Sequence, residues 1–159
     1  NAMKQFSKIY PLASDYSLIM PNNYIVGSGT DDDGTILEKI QQAKAQLEII
    51  SQEILARKSV YRVTEGSMAF LKSNLANWGF EHFARNTKPF HVNENCVGCG
   101  FYEKNCPAGT IAMDNGKPVW NEKCYQCLRC INSCPKQAIE YGSSTEGRKR
   151  YTLWQHLPR

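Results

Sequence analysis

Seven cysteines lie between Cys96 and Cys134, and the first 95 residues contain none. The last four have the spacing C-x2-C-x2-C-x3-C-P and begin at Cys124. A short loop with this spacing curls around one cluster and presents three thiolates, each to a different iron, while the fourth cysteine points away. This second run therefore predicts an iron–sulfur ligand set. A zinc site is the competing interpretation, but zinc knuckles are usually two separated Cys-x2-Cys pairs.

The first cysteine run repeats the pattern with one change. It begins at Cys96 and ends at Cys106, which is followed by Pro107, and Tyr102 stands where the third cysteine is expected. Adding 28 to a residue number maps the first run onto the second, so two copies of one unit are predicted. The unit comprises a strand, a cluster loop, a short helix and a strand.

The two runs together predict one complete and one incomplete ligand set. In proteins with two such runs, the fourth cysteine of each run binds the cluster of the other run. The complete set is Cys106, Cys124, Cys127 and Cys130, and the incomplete set is Cys96, Cys99 and Cys134. Four thiolates predict a [4Fe–4S] cluster. Three predict either [3Fe–4S] or a labile [4Fe–4S] whose fourth iron is held by water, a small ligand or the Tyr102 phenolate.

Strand and turn signals surround these loops. Residues 110–113 and 117–120 flank an Asn-Gly pair that is typical of a hairpin turn, and Pro118 suits only an edge strand. Residues 89–92 and 138–141 supply an outer pair of strands, with short helices near 103–106 and 131–134. The predicted fold class is α+β: a ferredoxin-like dicluster domain, built as a β-hairpin/short-helix pseudo-repeat, after a mostly helical region.

Two amphipathic helices are predicted before the cysteines. The first covers residues 35–57 and carries an apolar stripe at helical spacing. The stripe consists of Ile36, Ile40, Ala43, Leu47, Ile50 and Ile54. The second helix covers residues 65–84, with Met68, Leu71, Leu75 and Trp78 on one face. Packing of the stripe within the chain is favoured over a coiled-coil homodimer, which stays possible.

Several segments resemble the ferredoxin part of the flavodoxin–ferredoxin fusion proteins of anaerobic bacteria. They are Cys124 to Cys130, Tyr141-Gly142, residues 145–148 and residues 86–90. Residues 20–24, Met-Pro-Asn-Asn-Tyr, resemble the end of that family's flavodoxin domain. The resemblance implies a bacterial dicluster ferredoxin domain that works with redox partner proteins.

One departure from that family concerns FMN. Only about twenty residues precede Met20, and they contain no phosphate-cradling loop, so FMN is not expected on this chain alone and a short or truncated member is predicted. The predicted divisions are an expression scar at 1–2, a flavodoxin remnant with the long helix at 3–60 and a helical linker at 61–88. The dicluster domain follows at 89–142 and a C-terminal tail at 143–159, in which Arg148 to Arg150 are expected to be solvated.

Composition excludes several functions. The net charge is only +4 and no helix–turn–helix pattern occurs, so nucleic acid is not an expected partner. No apolar stretch approaches the length of a membrane span, and thiolate ligation predicts a reducing compartment, the cytoplasm. No catalytic motif is found, so the chain is predicted to be an electron carrier rather than an enzyme on its own. The alternatives are the electron-input piece of a flavin-linked oxidoreductase and a structural zinc protein.

Overall fold

The computed structural model describes residues 2–157, which form two compact units. The helical unit combines the chain up to Pro21 with Asp33–Gly79, and the cysteine unit combines Asn22–Asp32 with the chain from Phe80 onward. Both helices and strands are present. This mixture confirms the predicted α+β class.

Helices dominate the helical unit. Its elements are α1 (Ala2–Phe6), β1 (Asp15–Tyr16), α2 (Asp33–Leu55), β2 (Tyr61–Arg62) and α3 (Ala69–Gly79). Strands β1 and β2 form a short parallel pair. Ser14 ties the pair together, because its Oγ donates to the Lys58 carbonyl at 2.6 Å and accepts from the Val60 N–H at 3.1 Å.

The apolar stripe of α2 is buried only near the start of the helix. Ile36 and Ala43 are buried, whereas Leu47 is 51% exposed and Ile54 is also exposed. The prediction that the whole stripe packs within the chain is therefore wrong for its second half. The 23 residues of α2 span about 35 Å, whereas the 11 residues of α3 span about 17 Å. Association with a second chain stays a prediction.

The second predicted helix is shorter than expected. Helix α3 ends at Gly79, and Phe80–Ala84 form a π-helical turn that belongs to the cysteine unit. Leu71, Leu75 and Trp78 are each more than half exposed, so most of the predicted apolar face of this helix lies at the surface of the described structure.

The cysteine unit contains two antiparallel strand pairs and two short helices. Its elements are β3 (Phe90–Val92), α4 (Phe101–Asn105), β4 (Ile111–Asp114), β5 (Lys117–Trp120), α5 (Arg129–Asn132) and β6 (Ile139–Tyr141). Strand β3 pairs with β6, and β4 pairs with β5. Both predicted pairings are confirmed. At the hairpin turn Asn115 has φ 47° and Gly116 has φ 75°, the left-handed values that a type I′ turn requires.

The two cysteine runs share local backbone features at a spacing of 28 residues. Left-handed φ values recur at positions 98 and 126, 100 and 128, and 109 and 137. Backbone bonds recur as well, because the N–H of Asn93 donates to Ala138 at 2.9 Å and that of Asn121 donates to Thr110 at 2.8 Å. The segment before each cysteine run is therefore hydrogen-bonded to the segment that follows the other run.

The segment after β6 packs into the cysteine unit. Thr145, Arg150 and Tyr151 are buried. The Arg150 guanidinium lies 2.6 Å from the Glu140 carboxylate, which also accepts the Thr145 hydroxyl at 2.5 Å. The expectation of a solvated tail is therefore wrong at Arg150, since a charge can be buried when it is paired and hydrogen-bonded.

Candidate metal centre

One cavity of the cysteine unit is lined by the complete ligand set. Its volume is about 360 Å³, which includes space open to solvent, and its lining includes Phe90, Trp120 and Leu128. The four cysteines that line it are Cys106, Cys124, Cys127 and Cys130. Cys106 follows the last residue of α4, Cys124 and Cys127 come from the loop that leads into α5, and Cys130 lies on α5 itself. The structure thus brings together the residues of the predicted complete set.

A tightly curled loop positions the thiols of this cavity. Lys123, Gln126 and Leu128 all have left-handed φ values, which are unusual for residues other than glycine. The curl turns the Gln126 N–H toward Cys124, where it donates to Sγ at 3.3 Å. From outside the loop, Arg85 Nε donates to the Cys124 carbonyl at 3.1 Å. Sequence reasoning did not identify Arg85, because its contact spans 39 residues and no local pattern marks it.

A second cavity is lined by Cys96, Cys99 and Cys134, the predicted incomplete set. Its volume is about 610 Å³, which includes space open to solvent, and its lining is largely apolar. The loop around it takes its left-handed positions at Gly98 and Gly100. A Cβ at residue 98 would collide with the carbonyl oxygen of Gly116, so the hairpin turn packs directly on this loop. The N–H of Ala138 donates to Cys134 Sγ at 3.5 Å.

Tyr102 lines both cavities. It is 6% exposed, and its ring packs edge-on against Phe101 with centroids 5.0 Å apart. Burial raises the pKa of the Tyr102 hydroxyl, and the nearby Cys134, Cys130 and Cys99 raise it further. The side chain is therefore a neutral phenol in the surroundings that the protein alone provides.

Burial also affects the ionisation of the cysteines. It raises the pKa of Cys124, and it raises that of Cys130 to about 12. The Trp120 indole lies close enough to Cys130 to oppose the second shift. These thiols are consequently protonated in a protein without metal, and a metal that binds their thiolates must displace protons.

Two buried donors test whether an iron–sulfur group suits these cavities. Tyr102 Oη and Trp120 Nε1 have no hydrogen-bond partner within residues 2–157, although both side chains line a cysteine cavity. A buried donor without an acceptor costs about 1–3 kcal/mol. The sulfur atoms of a cluster are acceptors, so the residues present fit such a group.

The cysteines line two cavities, and their side chains do not converge on a single point as the ligands of one metal ion would. Across the described part of the chain, no group of three or more His, Cys, Asp or Glu side chains is arranged to hold a single metal ion. Nor is any helix within residues 2–157 both long and apolar enough to cross a membrane.

An α+β unit with two cysteine-lined cavities and this ligand spacing defines a ferredoxin-type iron–sulfur protein. The family described as the LdpA Fe-S cluster-binding domain matches residues 101–145. Pyruvate synthase subunit PorD of Methanocaldococcus jannaschii is 35% identical over 43% of this chain and 76% of that subunit. The chain therefore belongs to the family of ferredoxin-type iron–sulfur proteins that includes PorD. It binds an iron–sulfur cofactor and transfers electrons.

Two other relatives are matched over a smaller share of their length. The PorD subunit of Thermotoga maritima is 38% identical over 39% of this chain and 65% of its own length. A protein of the ion-translocating oxidoreductase complex of Methanosarcina acetivorans is 44% identical over 36% of this chain, which spans only 28% of that relative. No solved structure matches the chain significantly.

Proposed function

We propose that this protein carries electrons through two iron–sulfur clusters, one in each cysteine-lined cavity. The supporting observation is the sorting of the seven cysteines. One cavity is lined by four of them and the other by three, and each cavity takes one cysteine from the opposite run. This is the crossed arrangement that two-cluster ferredoxins use. The cofactors supply the redox chemistry, while the protein supplies ligands, burial and hydrogen bonds.

The proposed cluster types follow from the number of thiolates. The cavity with Cys106, Cys124, Cys127 and Cys130 holds a [4Fe–4S] cluster. The cavity with Cys96, Cys99 and Cys134 holds a [3Fe–4S] cluster or a [4Fe–4S] cluster with a labile iron. The dicluster pseudo-repeat belongs to the same proposal, and the φ values that recur 28 residues apart support it.

The first experiment counts the clusters. Protein purified and reconstituted without oxygen should contain about seven iron and eight sulfide atoms per chain if one site holds three irons. The protein should be brown, whereas a zinc protein would be colourless. Electron paramagnetic resonance should show the signal of an oxidised [3Fe–4S] centre and, after reduction, that of a [4Fe–4S] centre. Iron sufficient for only one cluster would contradict the proposal.

A matched pair of variants tests the crossed assignment. Cys106→Ala should damage the cluster of the second run, although residue 106 lies in the first run. Cys134→Ala, the equivalent change 28 residues later, should damage the cluster of the first run instead. Spectra in which each substitution removes the cluster of its own run would refute the crossed arrangement.

Tyr102→Cys tests the proposed incompleteness of the first-run site. Adding the third thiolate of that run completes a set of four, so the variant should hold two air-stable [4Fe–4S] clusters and gain about one iron per chain. The measurements are the iron count and the loss of the oxidised [3Fe–4S] signal. Unmutated protein that already holds two air-stable [4Fe–4S] clusters would contradict the proposed incompleteness of the first-run site.

The proposed partners are redox proteins in a reducing compartment such as the cytoplasm. The relatives support this role, because they are subunits of pyruvate synthase and of an ion-translocating oxidoreductase complex. The resemblance to flavodoxin–ferredoxin fusion proteins adds an electron-input piece of a flavin-linked oxidoreductase as the alternative. FMN that copurifies with this chain would favour that alternative. The domain divisions at 3–60, 61–88, 89–142 and 143–159 belong to the same resemblance and stay predictions.

A further inference from the structure

Tyr102 is a buried donor at the position of a missing ligand. Its hydroxyl is shielded from solvent and has no hydrogen-bond partner within residues 2–157. Its side chain lines the cavity of Cys96, Cys99 and Cys134. Tyr102 therefore does not merely lack a thiolate. It also places a buried hydroxyl beside the cavity that these three cysteines line.

The surrounding structure holds this side chain in place. Gly100, with φ 66°, starts the short helix α4, and the Tyr102 carbonyl accepts the backbone N–H of Cys106 at 3.0 Å. The ring belongs to the main apolar cluster of the unit and packs edge-on against Phe101. The backbone at Tyr102 is thus fixed by a helix that ends at a predicted ligand, and its ring is held by apolar packing.

The difference in length between the two side chains determines what Tyr102 can do. A cysteine sulfur at position 102 would stop short of the cluster and leave room for an iron. A tyrosine side chain is several ångströms longer, so with a cluster bound its ring would take the space of the thiolate and its hydroxyl would reach toward the space of the fourth iron. A [3Fe–4S] core exposes three sulfides at its vacant corner, and sulfides accept hydrogen bonds.

We propose that Tyr102 occupies the vacant corner of the first-run cluster, where its hydroxyl donates to the exposed sulfides and its ring excludes a fourth iron. This inference rests on the proposed two-cluster function. It makes Tyr102 a positioning residue with two effects. Exclusion of iron holds the site at three irons, and the hydrogen bond stabilises the more negative reduced cluster, which raises its reduction potential.

The test is Tyr102→Phe, which removes the hydroxyl and keeps the ring. Anaerobically reconstituted protein is titrated electrochemically, and resonance spectra follow each cluster separately. We expect unchanged iron content and a lower potential for the first-run cluster. At a fixed potential the ratio of reduced to oxidised cluster should fall about tenfold, a shift of 59 mV for one electron. The matched control is Tyr125→Phe, because Tyr125 is 57% exposed and its loss should leave that potential unchanged.

A second measurement tests the exclusion of iron. Excess ferrous iron is added without oxygen to unmutated protein, Tyr102→Phe and Tyr102→Ala. We expect the first two to keep three irons in the first-run site and Tyr102→Ala to take up a fourth. Three irons in folded Tyr102→Ala would refute exclusion by the ring, and a fourth iron in the unmutated protein or in Tyr102→Phe would refute it even if Tyr102→Ala fails to fold.

Several outcomes would overturn the inference. They are an unchanged potential in Tyr102→Phe, a shift confined to the second-run cluster, or uptake of a fourth iron by the unmutated protein. Each leaves the two-cluster function intact, because both clusters are still observed. If the unmutated protein holds no first-run cluster at all, the two-cluster function fails and this inference fails with it.

Discussion

The two units of this protein differ in how far they bury their apolar side chains. In the cysteine unit, short elements bury Ile111, Leu128 and Ile131 around the cluster cavities. In the helical unit, a 23-residue helix leaves Leu47 and Ile54 exposed. In the cysteine unit the backbone of both cysteine loops is tightly curled, and the side chains next to these loops are buried. A long amphipathic helix places its apolar residues on one face. Those residues are buried only where another part of the protein packs against that face.

The largest effect should come from a charge in the core of the cysteine unit. Ile131 is 0% exposed and lies on α5, directly after Cys130, a predicted ligand. An unpaired carboxylate there should destabilise the protein by at least about 4 kcal/mol, because nothing in the core pairs with it. We expect Ile131→Asp to lose the visible absorption of its clusters and to unfold at a much lower temperature. A variant with normal colour and normal thermal unfolding would contradict the close packing described for α5.

A smaller effect should separate two glycines of the first-run loop. Gly98 and Gly100 have nearly equal left-handed φ values of 61° and 66°. Substitution by alanine at either position costs about 1–2 kcal/mol in backbone strain. Gly98→Ala also forces its Cβ against the Gly116 carbonyl, whereas the nearest atom to a Cβ at 100 is Met113 Cγ at 4.0 Å. Gly98→Ala should therefore lower the thermal midpoint several degrees further than Gly100→Ala, with loss of the first-run cluster. Equal thermal midpoints for the two variants would show that the first-run loop can shift away from the Gly116 carbonyl without a loss of stability.

The local features of the cysteine unit could be predicted from the sequence. The cysteine spacing predicted which cysteines line the same cavity, and an Asn-Gly pair predicted the hairpin, because both signals depend on neighbouring residues. The role of these cysteines as ligands stays a prediction. Long-range contacts could not be predicted. Asn132 Nδ2 donates to the Asn23 carbonyl at 3.0 Å, and Arg148 donates to the Ile25 carbonyl at 2.8 Å. These bonds fix residues 22–27 and the final segment on the unit, yet no periodicity marks residues more than 100 positions apart.

The helical unit shows why periodicity alone overestimates burial. The stripe of α2 has regular helical spacing, and the helix forms within two residues of the predicted bounds. Spacing specifies that the apolar residues share a face, but it does not specify whether the chain supplies a surface of matching length. The sequence therefore predicted the helix correctly but overestimated how much of its apolar stripe is buried within the chain.

Buried polar atoms offer a subtler test of the cysteine unit. Trp120 Nε1 has no acceptor within residues 2–157 and lies beside Cys130. If it donates to sulfur of the second-run cluster, its loss should remove about 1 kcal/mol of preference for the reduced state, or roughly 40 mV for one electron. Trp120→Phe keeps an aromatic ring against Phe90 and should lower the potential of that cluster alone. A potential that does not change would mean that the indole has a packing role only.

The smallest effect is expected at Leu47 of α2, and a second substitution on the same helix provides its reference. Ala43 is buried and Leu47, one turn later, is half exposed. Ala43→Asp should destabilise the protein by roughly 2 kcal/mol, because the charge enters a covered position. Leu47→Asp should change the free energy of unfolding by less than about 0.5 kcal/mol, as surface substitutions usually do. Thermal unfolding measures both changes, and light scattering measures the mass. If Leu47→Asp is as costly as Ala43→Asp and also lowers the mass, the second half of the stripe is covered by another copy of the chain. The exposure of Leu47 in the single chain would then mark an interface between two copies.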